Sequence, residues 1–114
     1  MSETGIFNAV IKNWDIRTSS HCMILELNFS SSIGDVDFSF NISYLQKIFR
    51  LLDITSISQI TKQPCIIFVK DGLFNDMGSF LFHHYKEFEI EEERNSWLFY
   101  DNVKEYYKEQ DKKN

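Results

Sequence analysis

The residue types best able to bind zinc or to pair a nucleophile with a base are His21-Cys22, Cys65 and His83-His84. Their spacing works against both chemistries. Neighbouring residues on a strand point to opposite faces, so each pair offers one ligand, and neither C-x-x-C nor H-x-x-x-H occurs. No Ser or Cys lies in a nucleophile-elbow pattern. With glycines only at Gly5, Gly34, Gly72 and Gly78, no phosphate-cradling loop is written into the chain. The expectation is a protein that is not an enzyme, with no cofactor, no metal and no catalytic residue.

The densest charge cluster is Glu87, Glu89, Glu91, Glu92 and Glu93, beside Tyr85, Phe88, Trp97, Phe99 and Tyr100. One reading is a charged edge strand that discourages aggregation over an aromatic core. The other is a partner-binding surface, in which Glu87, Glu89, Glu91, Glu92 and Glu93 meet basic groups and Trp97 and Tyr100 serve as anchors. Asp35 and Asp37 are available to extend it. The net charge of −5 and pI near 5.1 argue against general phosphate-neutralising contact with nucleic acid, though they leave room for a local basic patch among Lys12, Arg17, Lys47, Arg50, Lys62 and Lys70. A single-strand-binding face, with Trp14 or Phe74 stacking on bases, stays open.

The elements that must position these groups centre on residues 41–70. Leu45, Ile48, Phe49 and Leu52 recur at i, i+3, i+4 and i+7, the apolar stripe of a helix on a core, with Lys47 and Arg50 on its other face. Asn41 and Ser43 are both suitable N-caps. Ser56 to Gln59 has the S-x-x-Q form of a capping box, and Pro64 marks the start of a strand, Cys65 to Val69, apolar enough to be buried on both faces. Before this unit the pattern predicts strands over Ile6 to Ile11, His21 to Phe29 and Val36 to Phe40, with Asn13 to Ser20 a polar connection and Met23, Leu25, Leu27 and Phe29 on the core side. After it, Asp71-Gly72 predicts a tight hairpin. Leu73 to Gly78 reads as irregular, Phe80 to Phe82 as a strand and Phe88 to Ile90 as an edge strand. A closing helix is expected from Val103 to about Lys112, capped by Asn102 and Glu105, with residues 110–114 frayed.

The fold class expected is α+β: an antiparallel sheet of about five to six strands with one main amphipathic helix on a face and a C-terminal helix. A chain of 114 residues, 43% hydrophobic with eleven Phe, fits one domain over residues 1–114. Two cysteines, both expected in buried strands, make no disulfide framework, which suits a reducing, cytoplasmic setting. No signal peptide is expected, and no run reaches the roughly 18 apolar residues of a membrane span. Exposed edges and spare aromatics would suit a homodimer.

Ala9-Val10-Ile11, His21 to Leu27, Leu45 to Leu52 and the connection Ile54 to Ile67 together resemble a family of short phage- and prophage-encoded proteins. The resemblance spans residues 5–82. It departs where that family carries glycines after the second strand, since only Gly34 stands here, and where Ile57 replaces a tryptophan. It implies a mobile-element protein similar in character to anti-CRISPR inhibitors, cytoplasmic in a bacterial host. Such a protein would bind a host CRISPR effector or other defence nuclease by stoichiometric contact. The alternative it leaves is a phage replication or recombination accessory that binds single-stranded nucleic acid or a replication protein.

Overall fold

The computed structural model describes residues 3–83 and 94–113. The chain is α+β, built on one five-stranded antiparallel sheet of β1 (Gly5–Ser19), β2 (Cys22–Ser31), β3 (Gly34–Asn41), β4 (Pro64–Lys70) and β5 (Leu73–Ser79). The helices that lie wholly within the described residues include α1 (Leu45–Leu52), the single turn α2 (Phe80–His83) and α3 (Tyr100–Lys113). The spatial order is β3-β2-β1-β4-β5.

β1 is the spine of the sheet. Its first half pairs with β4, from Gly5↔Val69 to Val10↔Pro64, and the stretch from Ala9 to Ser19 pairs with β2. At the change of partner Lys12 is an extra residue, a bulge that bends the strand. Ile11 is held there through both of its backbone groups, donating to Gln63 O at 3.0 Å and accepting from Lys62 N at 2.7 Å. The segment Asn13 to Ser19, expected as a connection, is therefore strand. Its alternation of Trp14, Ile16 and Thr18 with Asn13, Asp15 and Arg17 is the period of two of a half-covered strand, masked in the sequence by its polarity.

The bent sheet brings its edges together. β3 and β5 approach through side chains rather than backbone pairing, with Phe74 of β5 stacked on Phe38 (ring centroids 4.4 Å) and Phe29 (5.5 Å) and set edge-on to Phe40. The result is a partly open barrel in which the strands follow one another around the wall as β1, β2, β3, β5, β4. Leu25, Leu27, Phe29, Ile11, Cys65, Ile67, Val69 and Met77 fill the interior, and Ile48, Leu51 and Leu52 of α1 close one end. Met23, expected in this core, is 46% exposed at the hairpin end.

The local signals around α1 hold. Asn41 accepts from Ser43 N at 2.9 Å at the head of a 3-10 turn (Ile42–Tyr44) that leads into α1, so Asn41 rather than Ser43 is the cap. Asp53 ends α1 in the left-handed region at φ 55°. Ser56 and Gln59 form the reciprocal capping box around the 3-10 turn Ile57–Gln59.

Four further places differ from the sequence reading. Leu73–Ser79 is a regular strand apart from a bulge at Asn75. Residues 80–83 are a helical turn, not a strand. Cys22 is exposed rather than buried, while burial pushes the Cys65 thiol up to about 12. α3 begins at Tyr100 and runs to Lys113, through the residues expected to fray; Asn102 is within it and spends its amide on Asn75 O (2.9 Å) instead of capping. The expected edge strand Phe88 to Ile90 lies outside the described residues.

A second core lies on the outside of β4. Ile66 and Phe68 point away from the barrel and are covered by Trp97, Val103 and the Tyr106 and Tyr107 rings. This is why all of Cys65 to Val69 is buried, as its unbroken apolar run requires.

Candidate functional site

Among the described residues, nothing covers the outer wall of β1, β2 and β3 in this way. Register places Asn13, Asn28 and Asp37 in one row, Asp15, Glu26 and Ser39 in the next, and Arg17, Ile24 and Asn41 in a third. Lys12 at the bulge reaches Asp35 (3.1 Å), Arg17 reaches Glu26 (3.1 Å), and the Asn28 amide donates to Asp37 (2.6 Å). Asp15 has no ion-pair partner among the described residues. Among the described residues the face carries more carboxylate than cation, and no aromatic ring stands on it. Trp14, Phe38 and Phe40 all project to the opposite, inner side, where Phe38 retains 36% exposure at the barrel seam. Such a wall has carboxylates and amides for arginine or lysine, but no platform on which a base would stack.

The second unusual group is Asp76, fully buried where β5 meets the segment after residue 94. Its Oδ1 accepts from Met77 N (2.8 Å) and from Phe99 N (2.9 Å), while Oδ2 has no partner. Desolvation pushes this carboxyl up to about 7 against the opposing pull of the Phe99 and Met77 amides and of the Lys47 ammonium. The same junction is pinned by Ser79 N to Ser96 O (2.8 Å), Leu98 N to Met77 O (2.9 Å) and Lys47 Nζ to Leu98 O (2.6 Å). Beside it, a 560 Å³ pocket is lined by Lys47, Arg94, Tyr100 and Asn102 among others. A buried, strongly shifted carboxyl is a marker of functional sites, but structural pins carry it too. The hydrogen bonds here join two segments of backbone, which makes Asp76 a positioning group.

Of the residues singled out in the sequence, Glu87, Glu89, Glu91, Glu92 and Glu93 lie outside the described residues. Trp97 is 1% exposed, packed on Ile66 and Phe68 and edge-on to Tyr107, so its ring belongs to the second core and not to a contact surface. Tyr100 is half-buried at the pocket, with the Arg94 guanidinium 5.8 Å from its ring centroid. Asp35 and Asp37 do share one face. Among the described residues no group of three or more His, Cys, Asp or Glu could hold a metal ion, and no helix is long and apolar enough to cross a membrane.

Sequence reasoning missed Asp15, Glu26 and Asp76. The alternation after Asn13 was the signal for Asp15, and a lone carboxylate between Phe74 and Met77 was the signal for Asp76. Comparison with family models, with curated proteins and with solved structures finds no match for this chain.

Proposed function

We propose that this protein is a non-catalytic binding module that inhibits a host defence nuclease, in the manner of an anti-CRISPR protein, by placing the outer wall of β1, β2 and β3 against a basic, nucleic-acid-binding surface. The observation that carries the reading is the wall itself, which among the described residues is uncovered, richer in carboxylate than in cation, and without aromatic rings in a chain with eleven Phe. Acidic side chains at fixed strand spacing compete with phosphates for arginine and lysine, and complementary charge speeds encounter. The resemblance to phage-encoded proteins points the same way.

The test compares wild type with the Asp15→Lys, Asp37→Lys double variant in parallel affinity captures from a CRISPR-bearing bacterium, followed by cleavage assays with the retained nuclease. A nuclease held by wild type, lost with the variant and inhibited at one-to-one stoichiometry supports the proposal. Equal retention by both proteins, or cleavage that proceeds unchanged, sinks it.

A second reading rests on topology. Strands placed as β1, β2, β3, β5, β4 around a partly open barrel, with a helix between β3 and β4, make the arrangement used by barrels that bind oligonucleotides and oligosaccharides on the strand 2 and 3 face. It predicts oligonucleotide affinity that falls steeply with salt. The acidity of that same face ranks it second.

A further inference from the structure

The cations of this acidic chain are not evenly spread. Lys47 and Arg50 stand three residues apart on α1, and so on one side of the helix. Arg94 approaches from the segment before α3. The 560 Å³ pocket that holds Lys47 and Arg94 adjoins a second of 340 Å³ lined by Lys47, Arg50, Leu51 and Asn95, the two sharing Lys47 and Asn95. Among the described residues of this lining, Asp101 is the single carboxylate. The ion pairs among the described residues, Lys12–Asp35, Arg17–Glu26 and Lys108–Glu105, use none of these three cations.

The groove is also held in shape. Lys47 Nζ is anchored by Leu98 O at 2.6 Å, which fixes the ammonium over the groove and leaves its other N–H donors to a ligand. Arg94 rests against the Tyr100 ring. Phe99 and Tyr100 supply an apolar wall, and Asn95 and Asn102 supply amides, Asn102 with its side-chain oxygen still available beyond the bond its nitrogen makes to Asn75. Convergent cations with a few amides and one aromatic wall, in a cleft of several hundred cubic ångströms, match a small phosphorylated molecule.

We infer that the groove between α1 and the start of α3 is a binding site for a phosphate-bearing small molecule of mononucleotide size, with Lys47, Arg50 and Arg94 on the phosphate and Tyr100 beside the remainder. The site lies apart from the acidic wall of β1, β2 and β3, so it stands or falls independently of the inhibitor reading.

The experiment is a titration of the full ¹⁵N-labelled chain with pyrophosphate, with AMP and with adenosine at constant ionic strength, followed by amide shifts. Pyrophosphate and AMP should both move the amides of Arg50, Phe99 and Asn102. AMP binding tighter than pyrophosphate assigns a nucleotide, and equal binding assigns the phosphate alone; either supports the site. The Arg50→Gln, Arg94→Gln double variant removes two cations whose side chains make no hydrogen bond or ion pair among the described residues, and should weaken AMP at least tenfold with the rest of the spectrum unchanged. Lys12→Gln, which removes a cation elsewhere, should leave AMP binding as in wild type. Adenosine binding as tightly as AMP, absence of shifts up to millimolar ligand, or equal weakening by Lys12→Gln would overturn the assignment.

Discussion

The two outer faces of one sheet are treated in opposite ways. Over β4 and β5 the outward residues are Ile66, Phe68 and Gly78, and the chain returns to cover them with Trp97 and α3. Over β1, β2 and β3 the outward residues include Asn13, Asp15, Arg17, Ile24, Glu26, Asn28, Asp35, Asp37, Ser39 and Asn41, and none of the described residues covers them. The contrast extends to the edges. β5 is bulged at Asn75 and bridged at Gly78 by Trp97, whereas β3 pairs with β2 through eight consecutive residues without a break. One face contributes stability, and the other is the one proposed above as a contact surface. Substitutions should therefore separate cleanly, costing fold on the first and recognition on the second.

The largest effect should come from opening the covered face. Trp97→Ala removes the biggest buried side chain from between Ile66, Phe68 and Tyr107, and a cavity of that kind costs about 4 kcal/mol. Gly78→Ala attacks the same contact from below. Its added Cβ would lie 2.7 Å from Ser96 O and 2.8 Å from the Trp97 ring, and a backbone oxygen bonded to Ser79 N cannot retreat. Overpacking at such a site costs about 2 kcal/mol. Urea midpoints measure both; a Trp97→Ala protein as stable as wild type would mean that α3 does not seal β4.

Next in size is the pH dependence of the seal. A carboxyl raised to about 7 in the fold keeps its proton over the range from about 4 to 7, where the unfolded chain has already lost it. For this group, stability is therefore fully present below about pH 4, falls as pH rises towards 7, and is flat above. The span corresponds to roughly 4 kcal/mol at most. Asp76→Asn keeps an oxygen for the Met77 and Phe99 amides and cannot ionise. It should be more stable than wild type at pH 8 by about 2 kcal/mol and lose that advantage by pH 4.5, as read from thermal melts at both values. An advantage that persists unchanged at pH 4.5 would show that Asp76 does not titrate in this range.

The legibility of the chain follows the same division. Where one physical signal dominated, the sequence was sufficient: the i, i+3, i+4, i+7 stripe of α1, the Ser56–Gln59 capping box, the Asp71-Gly72 turn and the two-sided burial of Cys65 to Val69 are local or periodic. Where tertiary context decides, it was not. Asn13 to Ser19 is too polar to declare a strand until β2 is seen beside it, and Phe80 to His83 becomes a helical turn because the sheet edge ends at Ser79. Trp97 drew notice as a surface anchor because aromatic residues serve both interfaces and cores, and only the return of the chain onto Gly78 decides for the core. The pocket and the acidic wall are assemblies of residues distant in sequence, which no spacing announces.

The smallest effect is the most telling for the open face. Asp15 stands directly opposite Glu26 in the β1–β2 register, and like charges so placed oppose the pairing. Arg17 offsets part of this by its bond to Glu26, but Asp15 itself is exposed and without an ion-pair partner among the described residues. Asp15→Asn should therefore stabilise the protein, by about 0.3 kcal/mol at low salt, and the gain should vanish near 1 M salt as the repulsion is screened. A carboxylate that costs the fold this little is compatible with the contact role proposed for the wall, because natural proteins sit above a stability threshold and not at an optimum. Loss of stability in Asp15→Asn would instead place Asp15 among the groups that hold the sheet, and the division between a covered face that folds and an open face that recognises would fail at its centre.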